Sequence, residues 1–141
     1  MSYAGDVTVD ECWQKLTQLK SSQLIDVRTS AEWSFVGLTD LHEIEKQPIL
    51  IEWQQFPTMQ VNPQFVEQVE AKLNELGCDK NSELFFLCRS GVRSISAAQA
   101  MTAAGYPNSF NILAGFEGDK DANGHRGMLA GWKYSQKPWS Q

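Results

Sequence analysis

This chain contains few cysteines and few histidines, and its net charge is negative. Its three cysteines and two histidines are too few and too scattered to form a disulfide framework or a zinc site with paired ligands. We therefore expect no metal, no cofactor and a reducing, cytoplasmic compartment. Twelve lysines and arginines oppose 17 acidic residues, for a net charge of −5. This balance argues against nucleic acid and against an acidic membrane surface as partners.

Long apolar runs are absent as well. No stretch approaches the roughly 18 apolar residues that a membrane span needs, and the first residues lack the basic and apolar regions of a secretory signal. The fractions of hydrophobic and charged residues, 42% and 21%, are ordinary for a globular protein and exclude a disordered or low-complexity chain. A length of 141 residues predicts one domain over 1–141.

Short apolar segments alternate with segments of helical periodicity. Strands are predicted at 24–27, 49–53, 84–87 and 110–113, and helices after Thr8, after Thr29, from 62 to 77, over 94–104 and over about 128–134. Residues 34–48 and 115–127 are predicted to be loops. Strands that are apolar throughout are typical of a parallel sheet covered on both faces, so the pattern predicts an α/β fold.

The residues around Cys88 carry the one strong chemical signal. The segment Cys88-Arg-Ser-Gly-Val-Arg-Ser94 follows an apolar strand and precedes an alanine-rich helix. Unpaired amides and the dipole at the helix start, together with Arg89 and Arg93, favour thiolate over thiol. A free thiol has a pKa of ~8.5, and lowering it by ~2 units requires only ~2.7 kcal/mol. Cys88 is therefore the candidate nucleophile, whereas Cys12 and Cys78 are expected to be structural.

The chain resembles the rhodanese family of sulfurtransferases in several pieces that occur in the same order. The similar pieces are 24–28 with Glu32, the loop 88–94, the helix end 103–106, the segment 110–115, Trp132 and Pro138. The resemblance covers about residues 5–139. It implies a single rhodanese-like domain, with about five parallel strands flanked by helices on both faces.

The resemblance also implies an activity. Cys88 would take sulfane sulfur from a small donor such as thiosulfate, hold it as a persulfide, and pass it to cyanide in vitro or to a thiol or protein acceptor in vivo. The loop residues implied in substrate binding are Arg89, Ser90, Gly91, Val92, Arg93 and Ser94. Asp26 and Arg28 would support the loop from the neighbouring strand, or form a plain structural ion pair with Glu32 or a helix end.

The loop over about 116–131 departs from the family pattern, because it lengthens the distance between Gly115 and Trp132. We expect it to be either a solvated surface loop or a wall of the site, with His125 and Arg126 as the contacts in the second case. Trp53, Phe56 and Phe35 are expected in the core or on an apolar rim of the site.

Two other functions remain open. A phosphatase or arsenate reductase of related fold uses Cys-x5-Arg, whereas only four residues separate Cys88 from Arg93. A non-catalytic rhodanese-like module that binds partner proteins is the second alternative.

Overall fold

A computed structural model describes residues 2–141 as a five-stranded parallel sheet with helices on both faces. The elements are β1 (Gly5–Val7), α1 (Val9–Gln18), β2 (Gln23–Asp26), α2 (Ser30–Phe35), β3 (Leu38–Thr39), a 3-10 turn (His42–Ile44), β4 (Ile49–Leu50), β5 (Gln54–Gln55), β6 (Gln60–Val61), α3 (Phe65–Glu75), β7 (Leu84–Leu87), α4 (Arg93–Ala103), β8 (Ser109–Ile112) and β9 (Trp139–Ser140). The strand order in the sheet is β1-β8-β7-β2-β4. The α/β fold class and its parallel sheet are thus confirmed.

Alternation along the central strands explains why helices cover both faces. Successive side chains of a strand point to opposite faces. Ile25 and Phe86 join α3 and α4 in one core cluster. Leu24 and Phe85 join α1, Phe116 and Trp132 in the other. Both sides of β2 and β7 are therefore buried, as their short and mainly apolar sequences predict.

Local capping signals place two of the helices. Thr8 with Glu11 and Thr29 with Glu32 form complete capping boxes at the starts of α1 and α2, which confirms both predictions. α3 begins at Phe65, three residues after Asn62. The Asn62 side chain accepts the Gln64 N–H and donates to the Glu52 carbonyl. Residues 62–64 are thus held in a turn before the helix. Among residues 2–141, no helix combines the length and hydropathy required to cross a bilayer.

The carboxyl-terminal segment differs from the prediction. The helix predicted over about 128–134 is wrong, since this stretch consists of turns and bends. Gly127 and Gly131 have φ of 78° and 106°, values that a right-handed helix excludes. The chain instead turns Trp132 into the core, where its ring nitrogen donates to the Pro138 carbonyl at 2.7 Å.

Three pairings involve strands that were not predicted: β3 with β9, β1 with β8, and β5 with β6. β9 pairs antiparallel with β3, so the predicted loop over 34–48 contains a strand and a 3-10 turn. β1 adds a fifth parallel strand beside β8. These segments have two or three residues each. They are too short for a period-2 pattern, and only their distant partners define them.

Candidate active site

Cys88 lies one residue beyond β7, at the carboxyl end of a central strand of the sheet. β2 and β8 flank β7, and the Val27 N–H donates to the Leu87 carbonyl at 2.8 Å beside the cysteine. The residue is only 1% exposed, yet it borders a cavity of about 420 Å³. The residues that line this cavity are Glu32, Gln54, Met59, Cys88, Arg89, Ser90, Val92 and Arg93. The carboxyl edge of an open α/β sheet is the usual place for a ligand.

The sulfur of Cys88 is held by the loop that follows it. The Gly91 N–H donates to Sγ at 3.1 Å, and the Ser94 Oγ lies 3.2 Å from Sγ. Gly91 has a φ of 107°, which turns the chain back over the sulfur and favours glycine. α4 then begins at Arg93, and Val92 at its N-cap supplies no side-chain hydrogen bond. The first-turn amides of α4 are therefore free of a side-chain cap.

Arg93 is bound to Glu32 rather than free at the mouth of the cavity. Its two terminal nitrogens donate to the two carboxylate oxygens at 2.7 and 2.9 Å. Burial raises the pKa of the Glu32 carboxyl, but the hydrogen bonds and charge of Arg93 outweigh it and hold that pKa below its ordinary value. The positive charge of Arg93 is thus largely compensated. The Arg89 side chain is exposed and has no hydrogen-bond or ion-pair partner among residues 2–141.

Asp26 and Arg28 form a fully buried ion pair at and just beyond the carboxyl end of β2. The Arg28 Nη2 donates to Asp26 at 2.7 Å and to the Gly37 carbonyl at 2.8 Å. Its guanidinium carbon also lies 4.2 Å from the centre of the Phe116 ring. Through these contacts Arg28 connects β2 with the end of α2 and with the segment after β8. Glu32, the expected alternative partner of the pair, binds Arg93 instead.

The segment after β8 supports the cysteine loop from behind. The Phe116 N–H donates to the Cys88 carbonyl at 2.8 Å, and the N–H groups of Glu117 and Gly118 donate to the Arg89 carbonyl at 2.9 and 3.1 Å. Gly115, with a φ of 60°, passes so close that an added Cβ would overlap the Cys88 carbonyl oxygen. This segment therefore fixes the direction of the loop's peptide groups.

The rest of the 116–131 loop turns away from the cavity. The Arg126 guanidinium donates to the Gly118 carbonyl at 2.7 Å, and the His125 N–H donates to Asp121 at 2.9 Å, so both contacts stay within the loop. None of residues 116–131 lines the cavity beside Cys88. The structure favours the surface-loop alternative over the wall.

A hairpin that no sequence pattern predicts forms one wall of the cavity. β5 and β6 pair antiparallel and bring Gln54 and Met59 to the site. The polar residues of this hairpin show no apolar alternation, so no local signal reveals it. Trp53 at its base packs edge-to-face on Phe65, with ring centroids 5.1 Å apart, while Phe56 and Phe35 are exposed.

The other cysteines lie in structural positions. All three cysteines are free of disulfides. Burial raises the pKa of the Cys12 thiol far above its ordinary value, which keeps this thiol protonated and unreactive. The Cys78 thiol donates to the Ser21 carbonyl at 3.3 Å. Within residues 2–141, no group of three or more His, Cys, Asp or Glu side chains could hold a metal ion.

A larger cavity, of about 990 Å³, lies near the opposite end of the sheet. It is bordered by the last turns of α1 and α3 and by residues 42–50, and no cysteine lines it. The Lys46 ammonium there binds three oxygens, the carbonyls of Leu19 and Ser22 and the Ser22 hydroxyl, at 2.6–2.8 Å. Its donors are used within the protein, so we assign the functional site to the smaller cavity.

Comparison with known proteins agrees with this geometry. A family model described as the STR4 middle domain matches residues 4–141. The crystal structure of Rv0390 from M. tuberculosis is 39% identical, with a TM-score of 0.89 and 99% of each chain covered. A rhodanese-like domain protein from Staphylococcus aureus is 25% identical, with a TM-score of 0.52 and coverage of 79% of this chain and 86% of that one. Thiosulfate sulfurtransferase 18 of Arabidopsis thaliana is 30% identical over 110 residues, 78% of this chain and 75% of that protein.

Fold and site together define an α/β domain that presents a cysteine between the carboxyl end of a parallel strand and the amino end of a helix. The chain belongs to the rhodanese-like domain family.

Proposed function

We propose that the protein is a sulfurtransferase that carries sulfane sulfur as a persulfide on Cys88. The observation that carries the proposal is the Gly91 N–H, which donates to the Cys88 sulfur at 3.1 Å beside an open cavity and the start of α4. Backbone amides and a helix N-terminus stabilise negative charge on sulfur. In this proposal the loop residues 89–94 bind the donor and the outer sulfur.

Thiosulfate serves as the model donor for the proposed reaction. The sulfur of Cys88 attacks the outer sulfur of thiosulfate, the S–S bond of the donor breaks, and sulfite leaves with its electron pair. The thiol proton passes to sulfite or water, which leaves a Cys88 persulfide with its charge on the outer sulfur. Cyanide or an acceptor thiolate then attacks that outer sulfur, and the electron pair of the broken bond returns to Cys88.

The size of the loop supports sulfur transfer over phosphate or arsenate chemistry. Four residues separate Cys88 from Arg93, and Arg93 is engaged by Glu32. In sulfur transfer the loop has to surround only the outer sulfur atom that is transferred, whereas phosphate or arsenate chemistry requires it to surround a whole tetrahedral oxyanion. In the second alternative, a non-catalytic binding module, Cys88 would take up no sulfur. We also propose that the protein acts in the cytoplasm, where acceptor thiols are kept reduced.

Intact-mass spectrometry after treatment with thiosulfate tests the proposal. We expect the protein to gain the mass of one sulfur atom, the gain to map to Cys88, and cyanide to remove it as thiocyanate. A protein that stays unmodified, or that gains sulfur on Cys12 or Cys78, would contradict the assignment. A mass gain of one phosphate from an aryl phosphate would support the phosphatase alternative.

Glu32→Gln is expected to raise kcat/KM for thiosulfate about tenfold, because it removes the charge that compensates Arg93 close to a dianionic donor. Glutamine keeps the capping box at the start of α2. Steady-state kinetics with thiosulfate checks this, and Glu75→Gln on the exposed side of α3 is the control for loss of one surface charge. An unchanged kcat/KM would show that Arg93 takes no part in donor binding.

Glu32→Gln is also expected to change how the free energy of unfolding depends on pH. Because the folded-state pKa of Glu32 lies below its unfolded value, its ionised form stabilises the fold above about pH 4.3, and this contribution is lost as the pH falls through the folded pKa. We expect Glu32→Gln to lower the free energy of unfolding by about 2 kcal/mol at pH 7. Urea denaturation at several pH values measures the difference, which should close in acid. A difference that is constant with pH would rule out this ion pair as its source.

A further inference from the structure

A line of four side chains runs from the protein surface to the sulfur of Cys88. The Asn111 Nδ2 donates to the Asp6 Oδ1 at 3.0 Å. The Ser94 Oγ donates to the Asn111 Oδ1 and lies 3.2 Å from the Cys88 Sγ. Asn111, Ser94 and Cys88 are each at most 1% exposed, whereas Asp6 is exposed on β1. The line thus connects four different segments of the chain.

The direction of each hydrogen bond follows from the groups themselves. A carboxylate only accepts, so the amide nitrogen of Asn111 faces Asp6 and its oxygen faces Ser94. An amide oxygen also only accepts, so the single hydroxyl proton of Ser94 is donated to Asn111. Ser94 therefore presents only lone pairs to Cys88. In this arrangement the contact between Cys88 and Ser94 is a thiol that donates to a hydroxyl oxygen.

We propose that Asn111, oriented by Asp6, is a positioning residue that keeps the Ser94 proton away from Cys88 and so opposes the stabilisation of a bare thiolate by the Gly91 N–H. When Cys88 ionises, the Ser94 proton must turn toward the sulfur. The Asn111 oxygen then loses its donor in a buried environment, and an unsatisfied buried acceptor is costly. The Asn111 oxygen and the thiolate thus compete for the single hydrogen bond that the Ser94 hydroxyl can donate.

The consequence for catalysis rests on the proposed sulfur-transfer function. In a Cys88 persulfide the negative charge lies on the outer sulfur, and the inner Sγ carries neither a proton nor a full charge. The inner sulfur needs no hydrogen bond from Ser94, so the Ser94 hydroxyl continues to donate to the Asn111 oxygen. The network therefore penalises the bare thiolate and leaves the persulfide untouched, so it favours the sulfur-loaded state of the protein.

Other charged groups act on Cys88 from the elements around it. Arg89 and Arg93 come from its own loop and α4, while Glu32 on α2 and Asp26 on β2 act through the charge of Arg93. Tyr3 donates to Asp6 at 2.8 Å at the outer end of the line. All of these groups stay unchanged when Asn111 or Ser94 is replaced, so the effect of the network can be isolated.

The pH dependence of alkylation at Cys88 tests the proposal without any sulfur donor. The rate of reaction with iodoacetamide is followed at the Cys88 peptide by mass spectrometry. We expect Asn111→Leu to move the midpoint of the profile to lower pH by about one unit, which is about tenfold faster alkylation below the midpoint. Asp6→Asn, at the exposed end, should move it in the same direction by less.

The Ser94→Ala background is the matched control. In the Ser94→Ala background, Asn111→Leu should not move the midpoint of the alkylation profile any further. Asp6→Asn should then move the midpoint only by the amount that loss of its charge causes, without the additional shift seen when Ser94 is present. An unchanged or raised midpoint in Asn111→Leu, or the same shift without Ser94, would overturn the proposal. If Asn111→Leu fails to fold, the Asp6→Asn comparison in the two backgrounds decides in the same way. A protein that alkylates as expected but takes up no sulfur would refute only the proposed function.

Discussion

Cys88→Ser is expected to abolish thiocyanate formation from thiosulfate and cyanide, with a loss of at least about 10³-fold in rate. A serine hydroxyl is nearly isosteric with the thiol and keeps acceptor atoms near the Gly91 N–H and Ser94. It cannot form a persulfide, however, and it does not ionise near neutral pH. The variant should therefore retain the fold of the parent protein while losing the chemistry.

Thermal unfolding monitored by circular dichroism establishes that the Cys88 variant is folded. Cys78→Ser is the matched control, because a hydroxyl there can still donate to the Ser21 carbonyl, and this variant should keep its activity. Activity retained by Cys88→Ser, or lost equally in Cys78→Ser, would remove Cys88 from the role of sulfur carrier.

Arg28→Met is expected to lower the free energy of unfolding by about 3–5 kcal/mol. Both members of the Asp26–Arg28 pair have fully buried side chains, so methionine would leave a carboxylate in the interior without its cation. Methionine would also remove the hydrogen bond to the Gly37 carbonyl and the contact with the Phe116 ring. The penalty comes mainly from the unpaired charge, because loss of packing alone costs less.

A double variant separates charge from packing in this pair. Asp26→Asn combined with Arg28→Met removes both charges. The asparagine keeps a side-chain oxygen that can accept the backbone N–H of residue 28, which donates to the Asp26 Oδ1 at 3.1 Å in the parent protein. We expect the double variant to recover part of the stability lost in Arg28→Met. Equilibrium urea denaturation of the parent, both single variants and the double variant measures this coupling. A double variant less stable than Arg28→Met would show that the carboxylate is not the source of the penalty.

The elements defined by local sequence were predictable. The capping boxes at Thr8 and Thr29 depend on residues three positions apart, and the strand before Cys88 is apolar throughout. The positive φ of Gly91 follows equally from its place in a tight loop. Each of these signals lies within a few residues of the feature that it predicts.

Interactions between distant segments were not predictable in this way. Glu32 and Arg93 are 61 residues apart, and Ser94 and Asn111 are 17 apart. The sequence indicates Glu32 as a capping residue and as a possible partner of the Asp26–Arg28 pair, but not that its carboxylate serves α2 and Arg93 together. Asn111 lies within a predicted strand, where a polar residue carries no signal of its partner. Only the fold reveals these contacts.

The hydrogen bonds behind the cysteine loop bear on how much the loop must reorganise during a reaction. In a trans peptide group the C=O and N–H bonds point in opposite directions. Because segment 116–118 holds the carbonyls of Cys88 and Arg89, the N–H groups of Arg89 and Ser90 point away from that segment. These dipoles are preorganised before any anion arrives, so little free energy is spent on aligning them when charge develops on the incoming sulfur.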